Sequence, residues 1–314
     1  MKNRVLVTGA TGFVGSNLVR RLVKEGYEVH ILTRKTSNMW RLKDIYSSLI
    51  DHKVDLSDKD DLLNVVTKIN PNNICHLAIY GGYPSQNEDE KILKTNLNGT
   101  INLLSALEGI DYDCFINTGS SSEYGKKEFI MKETDICEPN TVYGIAKLSS
   151  TLYCNHISAK ENRNIGTIRL FSVYGDYEEK GRLIPTLFIN LLNGENVKLG
   201  NPAAVRDFVY IDDVVEAYIS ILKNPEKIKG KIFNISSGNQ ISIGEISEKV
   251  KSILNSSCFL DFGNLSGRTF DSTTWLGDSS LFRETFNWAP KKIDEGLKKS
   301  AEWFSKNLNL YKEV

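Results

Sequence analysis

An apolar triplet, Val5-Leu6-Val7, runs directly into Thr8-Gly9-Ala10-Thr11-Gly12-Phe13-Val14-Gly15, and behind that turn Leu18, Leu22 and Val23 recur at helical spacing until Gly26. The next apolar run, Val29 to Leu32, reads as a second strand. Strand, glycine-rich turn, helix and strand in this order form a βαβ unit. Its two parallel strands belong in a sheet covered on both faces, which removes most other architectures.

The alternation continues for half the chain. Leu62 to Ile69 reads as helix, Ile74 to Leu77 as strand, Ile92 to Leu107 as helix, Cys114 to Asn117 as strand, Val142 to Lys160 as helix and Ile165 to Leu170 as strand. Beyond Ser172 the pattern weakens, although Phe208–Ile211 and Ile232–Ile235 are expected to return to the sheet. The fold class is therefore α/β, a Rossmann-type doubly wound parallel sheet with a smaller C-terminal substrate-binding lobe. Residues 1–172 plus about 205–237 are assigned to the first domain, and about 173–204 plus 238–314 to the second.

Charge and cysteine usage exclude several functions. Lys+Arg and Asp+Glu each total 39, so no bulk field draws the chain to nucleic acid or an anionic membrane. The five cysteines form no C-x-x-C pair and are odd in number, and the four histidines are scattered, which predicts neither a disulfide framework nor a metal centre. With no signal-peptide core and no long apolar run, a soluble cytoplasmic protein is expected.

Each glycine of the turn has a separate task. Gly9 permits the tight turn, Gly12 lets backbone approach a dinucleotide pyrophosphate at the helix N-terminus, and Gly15 lets helix and strand pack closely. The spacing is G-x-x-G-x-x-G rather than the commoner G-x-G-x-x-G. The second strand ends in Leu32-Thr33-Arg34-Lys35, without the carboxylate that usually binds the ribose of NAD. Arg34 and Lys35 can receive a 2′-phosphate, which tips the choice toward NADP(H) over NAD(H); the alternative is Arg34 stacked on the adenine of NAD. Asp55-Leu56 falls where a loop would meet the adenine.

Of 13 tyrosines only Tyr143 has a lysine four positions on, in Tyr143-Gly144-Ile145-Ala146-Lys147. That spacing puts both side chains on one helix face, where an ammonium near a phenol favours its ionised form and prepares it to take a proton from an alcohol.

With the glycine turn, the Ser120-Ser121-Ser122 cluster and the Tyr/Lys pair, the chain resembles the extended short-chain dehydrogenase/reductases of the sugar-nucleotide epimerase/dehydratase group. The likeness also rests on His76-Leu77-Ala78, Asn96-Leu97-Asn98-Gly99-Thr100, Ile168 to Gly175 and Arg206 to Asp213. It implies a catalytic triad of Ser120, Tyr143 and Lys147, in which Tyr143 exchanges a proton with a sugar oxygen that Ser120 hydrogen-bonds, while Lys147 also holds the nicotinamide ribose. It implies dinucleotide contacts from Gly9, Thr11, Gly12, Phe13, Val14, Gly15, Thr33, Arg34, Asp55, Leu56, Leu77, Ala78, Asn96, Tyr143 and Lys147. A nucleotide-diphosphate sugar would be met by Ser121, Ser122, Ser172, Arg206 and Arg268. The resemblance also implies a homodimer formed through the helices Ile92 to Leu107 and Val142 to Lys160.

Departures from the family pattern narrow the chemistry. Its 4,6-dehydratases follow the catalytic Thr with Asp-Glu, where this chain has Ser121-Ser122, hydroxyls poorly suited to acid/base work. Its epimerase/reductases that work beside a ketone place a reactive Cys where Ser122 stands. What remains is hydride transfer at one carbon, sugar C4: a 4-ketoreductase or 4-dehydrogenase, with a 4-epimerase retaining NAD as the alternative. A non-catalytic dinucleotide sensor on the same fold would tolerate loss of Tyr143 or Lys147; both are present.

Overall fold

The computed structural model describes residues 3–83, 85–263 and 273–312. Its first half alternates as expected: β1 (Arg4–Thr8), α1 (Phe13–Lys24), β2 (Glu28–Thr33), β3 (Ile50–Lys53), α2 (Lys59–Ile69), β4 (Asn73–His76), α3 (Asp89–Leu93), α4 (Gly99–Ala106), β5 (Cys114–Ser120), α5 (Val142–Glu161) and β6 (Ile165–Leu170). The second half adds β7 (Ser172–Tyr174), α6 (Leu183–Leu192), β8 (Val197–Lys198), β9 (Val205–Tyr210), α7 (Ile211–Lys223), β10 (Ile232–Ile235), β11 (Gln240–Ser242), α8 (Ile243–Ile253), β12 (Leu260–Asp261), α9 (Ser280–Phe286) and α10 (Ile293–Asn307).

Seven strands form one parallel sheet in the order β10-β6-β5-β4-β1-β2-β3. The order reverses between β1 and β4, so a crevice opens beyond their carboxyl ends, where doubly wound sheets bind ligands. Period-two alternation divides the core between two faces. Val5, Val7, Ile31, Ile116 and Ile168 pack with Leu18 and Leu22 of α1 and Val214 of α7. Leu6, Leu32, Ile74, Phe115 and Ile165 pack with α2, α4 and α5 through Leu62, Val66, Leu103 and Cys154. No described helix is long and apolar enough to cross a membrane.

One strand comes without a sequence signal, and one expectation is corrected. Ile50–Lys53 forms an additional edge strand, although Asp51, His52 and Lys53 gave it no apolar pattern. The strand around Phe208 forms but does not join the parallel sheet: β9 pairs parallel with β7 and antiparallel with β11 in a separate three-stranded sheet. Side-chain alternation identifies a strand without identifying its partner, and β9 finds its partner outside the main layer.

Between α3 and α4 the helix widens into a π-turn, Lys94–Asn98. The Asn96 carbonyl accepts from Thr100 Oγ1 at 2.7 Å and from Ser150 Oγ of α5 at 2.6 Å. Thr100 Oγ1 also lies 3.0 Å from His76 Nε2, whose Nδ1 is 2.7 Å from Thr8 Oγ1. A buried polar chain thus ties the end of β1 to α5.

Candidate active site

The glycine turn is built by close approach. Gly9 has φ +70°, and a Cβ there would stand 2.5 Å from the Leu77 carbonyl carbon; one on Gly15 would stand 2.2 Å from Gly9 O. α1 follows with Gly12 as N-cap, no side chain capping it and no acidic residue in its first turn. Its N-terminal donors and positive dipole end are therefore left for an anion, which is the arrangement a dinucleotide pyrophosphate requires.

From this turn a cleft of about 1510 Å³ runs to the C-terminal segments. That exceeds the roughly 300–1,000 Å³ of a single small-molecule pocket, leaving room for two ligands side by side. Its walls include Gly9, Thr11, Gly12, Phe13, Val14, Gly15, Arg34, Asp55, Leu56, Leu77, Ala78, Ser120, Ser121, Ser122, Tyr143, Ser172 and Arg206. Three expected contacts sit behind the wall. Thr33 Oγ1 donates to Asp51 Oδ1 at 2.6 Å instead of facing the cleft. Asn96 is spent on the loop after β4, giving Nδ2 to Tyr80 O at 2.6 Å and taking Tyr80 N at 3.3 Å. Lys147 is 2% exposed beneath Tyr143. Arg268 lies outside the described residues.

Ser120 ends β5, and Tyr143 and Lys147 stand one turn apart at the start of α5, whose N-cap Thr141 accepts from Gly144 N at 3.0 Å. Ser120 and Tyr143 both line the cleft, and the serine favours the ionised form of the phenol. Burial pushes the Tyr143 phenol up to about 12, Ser120 and Arg182 opposing it and Glu123 adding to it. Burial likewise pulls Lys147 down to about 8, against the attraction of Glu123. Desolvation is the largest influence on a phenol so enclosed.

Glu123 does not enter the cleft. It is fully buried, its Oε1 taking the Ser120 N–H and its Oε2 facing Arg169. Ser121 and Ser122 are thus the side chains flanking Ser120 on the cleft wall, and no dehydratase-like acid/base pair stands there.

At the far end, Arg206 of β9 lies with its guanidinium 5.9 Å from the Trp275 ring centroid, among Lys198, Asn201 and Phe208. The sequence reading missed a second charged group, one that acts on Tyr143. Arg182 donates to Gly82 O at 2.5 Å and lies 4.9 Å over the Tyr83 ring, and both it and Tyr83 act electrostatically on Tyr143. Arg41, 5% exposed, donates to Thr11 O at 3.3 Å and pairs with Glu179 at 2.7 Å. No spacing signal marks either arginine: Glu179 lies 138 residues from Arg41, and Gly82 lies 100 from Arg182.

The sequence profile of the NAD dependent epimerase/dehydratase family matches residues 5–236. The chain belongs to that family. Among relatives of this family member, a UDP-glucuronate 4-epimerase of Thermodesulfobacterium geofontis is 26% identical, covering 98% of each chain. The crystal structure of UDP-glucose 4-epimerase with UDP-glucose from Thermotoga maritima superposes with a TM-score of 0.87 at 26% identity, over 97% of this chain and 99% of that one. A UDP-glucuronic acid 4-epimerase from Bacillus cereus, in complex with UDP-glucuronic acid and NAD, gives 0.85 at 26% identity, over 96% and 99%.

Proposed function

We propose that this family member transfers hydride at C4 of a nucleotide-diphosphate sugar, with Ser120, Tyr143 and Lys147 as its catalytic residues. The observation that carries the reading is that Ser120 and Tyr143 line one cleft large enough for two ligands, with Ser121 and Ser122 as the side chains next to Ser120 on its wall. Bound nicotinamide dinucleotide supplies or accepts the hydride. Ser120 holds the reacting sugar oxygen, Tyr143 gives it a proton or takes one, and the Lys147 cation below stabilises the phenolate left behind. The glycine turn and the α1 N-terminus hold the pyrophosphate, Asp55 and Leu56 border the adenine, and Arg206 grips the diphosphate of the sugar nucleotide.

Net redox at C4, as a 4-ketoreductase or 4-dehydrogenase, is favoured by Arg34, Ser37 and Asn38 on the cleft wall, a polar rim suited to exchangeable NADP(H). A 4-epimerase with retained NAD is favoured by the names of the relatives. Denaturing the purified protein and identifying the released nucleotide separates them: stoichiometric NAD without net redox turnover refutes the reductase. Tyr143→Phe should lower turnover by at least about 100-fold; unchanged turnover would refute the mechanism. A homodimer through α3–α4 and α5 is supported by exposed Leu93, Ile145 and Leu152 on α3 and α5. Light scattering that found only monomer would reject it.

A further inference from the structure

Glu123 and Arg169 form an ion pair directly behind Ser120, at 2.8 Å, with side chains 0% and 2% exposed. Glu123 Oε1 accepts the Ser120 N–H at 2.8 Å while Ser120 Oγ accepts the Ser122 N–H at 3.1 Å, a reciprocal box that fixes both the backbone and the side chain of the serine. Gly119 leaves the room for this: a Cβ there would stand 2.6 Å from Glu123 Oε1 and 2.7 Å from Thr167 Cγ2. Arg169 in turn lies 4.6 Å over the Tyr124 ring, and Tyr124 Oη donates to Asn234 Oδ1 at 2.7 Å. Apolar residues of similar volume often stabilise a core as well as a buried ion pair does, so stability alone does not explain its presence.

We infer that Glu123, oriented by Arg169, is a positioning residue for the catalytic centre: it fixes the backbone of Ser120, whose hydroxyl the Ser122 N–H then holds, and supplies the negative charge that keeps buried Lys147 a cation. The inference rests on the reading of Ser120, Tyr143 and Lys147 given above. Among the described residues Lys147 makes no ion pair. The titratable groups acting on it are His76 of β4, Cys154 of its own helix and Glu123. Burial pushes His76 down to about 3 and the Cys154 thiol up to about 12, so both are neutral near neutral pH. Glu123 alone brings an opposite charge. Tyr143 is faced by the same carboxylate together with Ser120, Arg182 and Tyr83.

The test compares the full-length protein with E123Q, which keeps an acceptor for the Ser120 N–H and removes the charge. The double variant E123Q/R169M, which buries no unpaired charge, serves as the folding control. Lys147 is titrated by NMR of lysine labelled at the ε-carbon, its signal identified by its loss in Lys147→Met. Alongside, the pH dependence of kcat is followed on a nucleotide sugar that the wild type turns over. In both variants the Lys147 titration and the alkaline limb of kcat should move about one unit to lower pH, with kcat about tenfold down at neutral pH. A folded variant whose titration and profile coincide with the wild type overturns the inference. Because the NMR arm needs no substrate, the inference can fail while Tyr143→Phe still abolishes turnover, whereas failure of the functional reading shows separately as unchanged turnover in Tyr143→Phe.

Discussion

Alanine at Gly15 and alanine at Gly12 should damage the protein in different ways. A methyl on Gly15 would meet Gly9 O at 2.2 Å, Gly9 C at 2.8 Å and Ala10 Cα at 2.9 Å, all main-chain atoms of the turn. Ordinary carbon contacts are about 3.5–4.0 Å, so α1 or the turn must move by roughly an ångström. Overpacking of this kind costs about 1–3 kcal/mol, roughly 2–10 °C in Tm for a chain of this length. Gly12 differs: its φ of −77° and ψ of 174° suit any residue, and the one atom near a Cβ there is Gly9 O at 3.2 Å. Stability should change by no more than about 0.5 kcal/mol. Its methyl would occupy the approach to the α1 N-terminus, lowering dinucleotide affinity about 10–100-fold, or about 1.4–2.7 kcal/mol. Calorimetric melting and fluorescence titration with reduced dinucleotide measure the two effects. Equal loss of Tm in both variants would refute the packing argument, and wild-type dinucleotide affinity in Gly12→Ala would refute the cradle.

Lys147 has a folded value of about 8, below its ordinary one, so the unfolded chain keeps the extra proton to higher pH and stability rises with pH above about 8. Below that the buried ammonium costs about 3 kcal/mol. Lys147→Met should therefore be the more stable chain at about pH 7 in urea unfolding and lose that advantage by about pH 10; a gain independent of pH would contradict the burial argument. Arg206→Ala should weaken nucleotide-sugar binding about 10–100-fold by calorimetry while leaving dinucleotide affinity unchanged. Arg34→Ala should weaken NADP binding about tenfold more than NAD binding; equal losses would point to adenine stacking instead.

The parallel layer was legible because each buried strand announces itself as an apolar run and each helix by its spacing. β3 was not, since an edge strand half open to solvent carries Asp51, His52 and Lys53 without penalty. The glycine turn and the Tyr143/Lys147 pair were readable as types at fixed spacing, and Ser120 only through the family resemblance. Their electrostatics were not, because the environment of Tyr143 is set first by its burial and then by neighbours that include Arg182 and Tyr83 from distant segments. The placement of Glu123 was legible in another way: Ser120-Ser121-Ser122-Glu123 has the S-x-x-E spacing of a capping box, which turns the carboxylate back onto the Ser120 N–H. Thr33 and Asn96 show the converse, motif positions whose side chains serve neighbouring backbone and strand instead of the cleft.

The π-turn at Lys94–Asn98 makes α3 and α4 a single rod with a slipped phase. In a helix that stayed α throughout, one extra residue before Asn96 would turn everything after it by about 100° and swing Thr100 away from His76. The wider ring takes up that residue, so Thr100 and the Asn96 carbonyl keep facing His76 and Ser150. Single-residue additions to the α-helical turns on either side have no such ring to absorb them. Natural indels and shuffled libraries should find their tolerance in the loops at the ends of the rod.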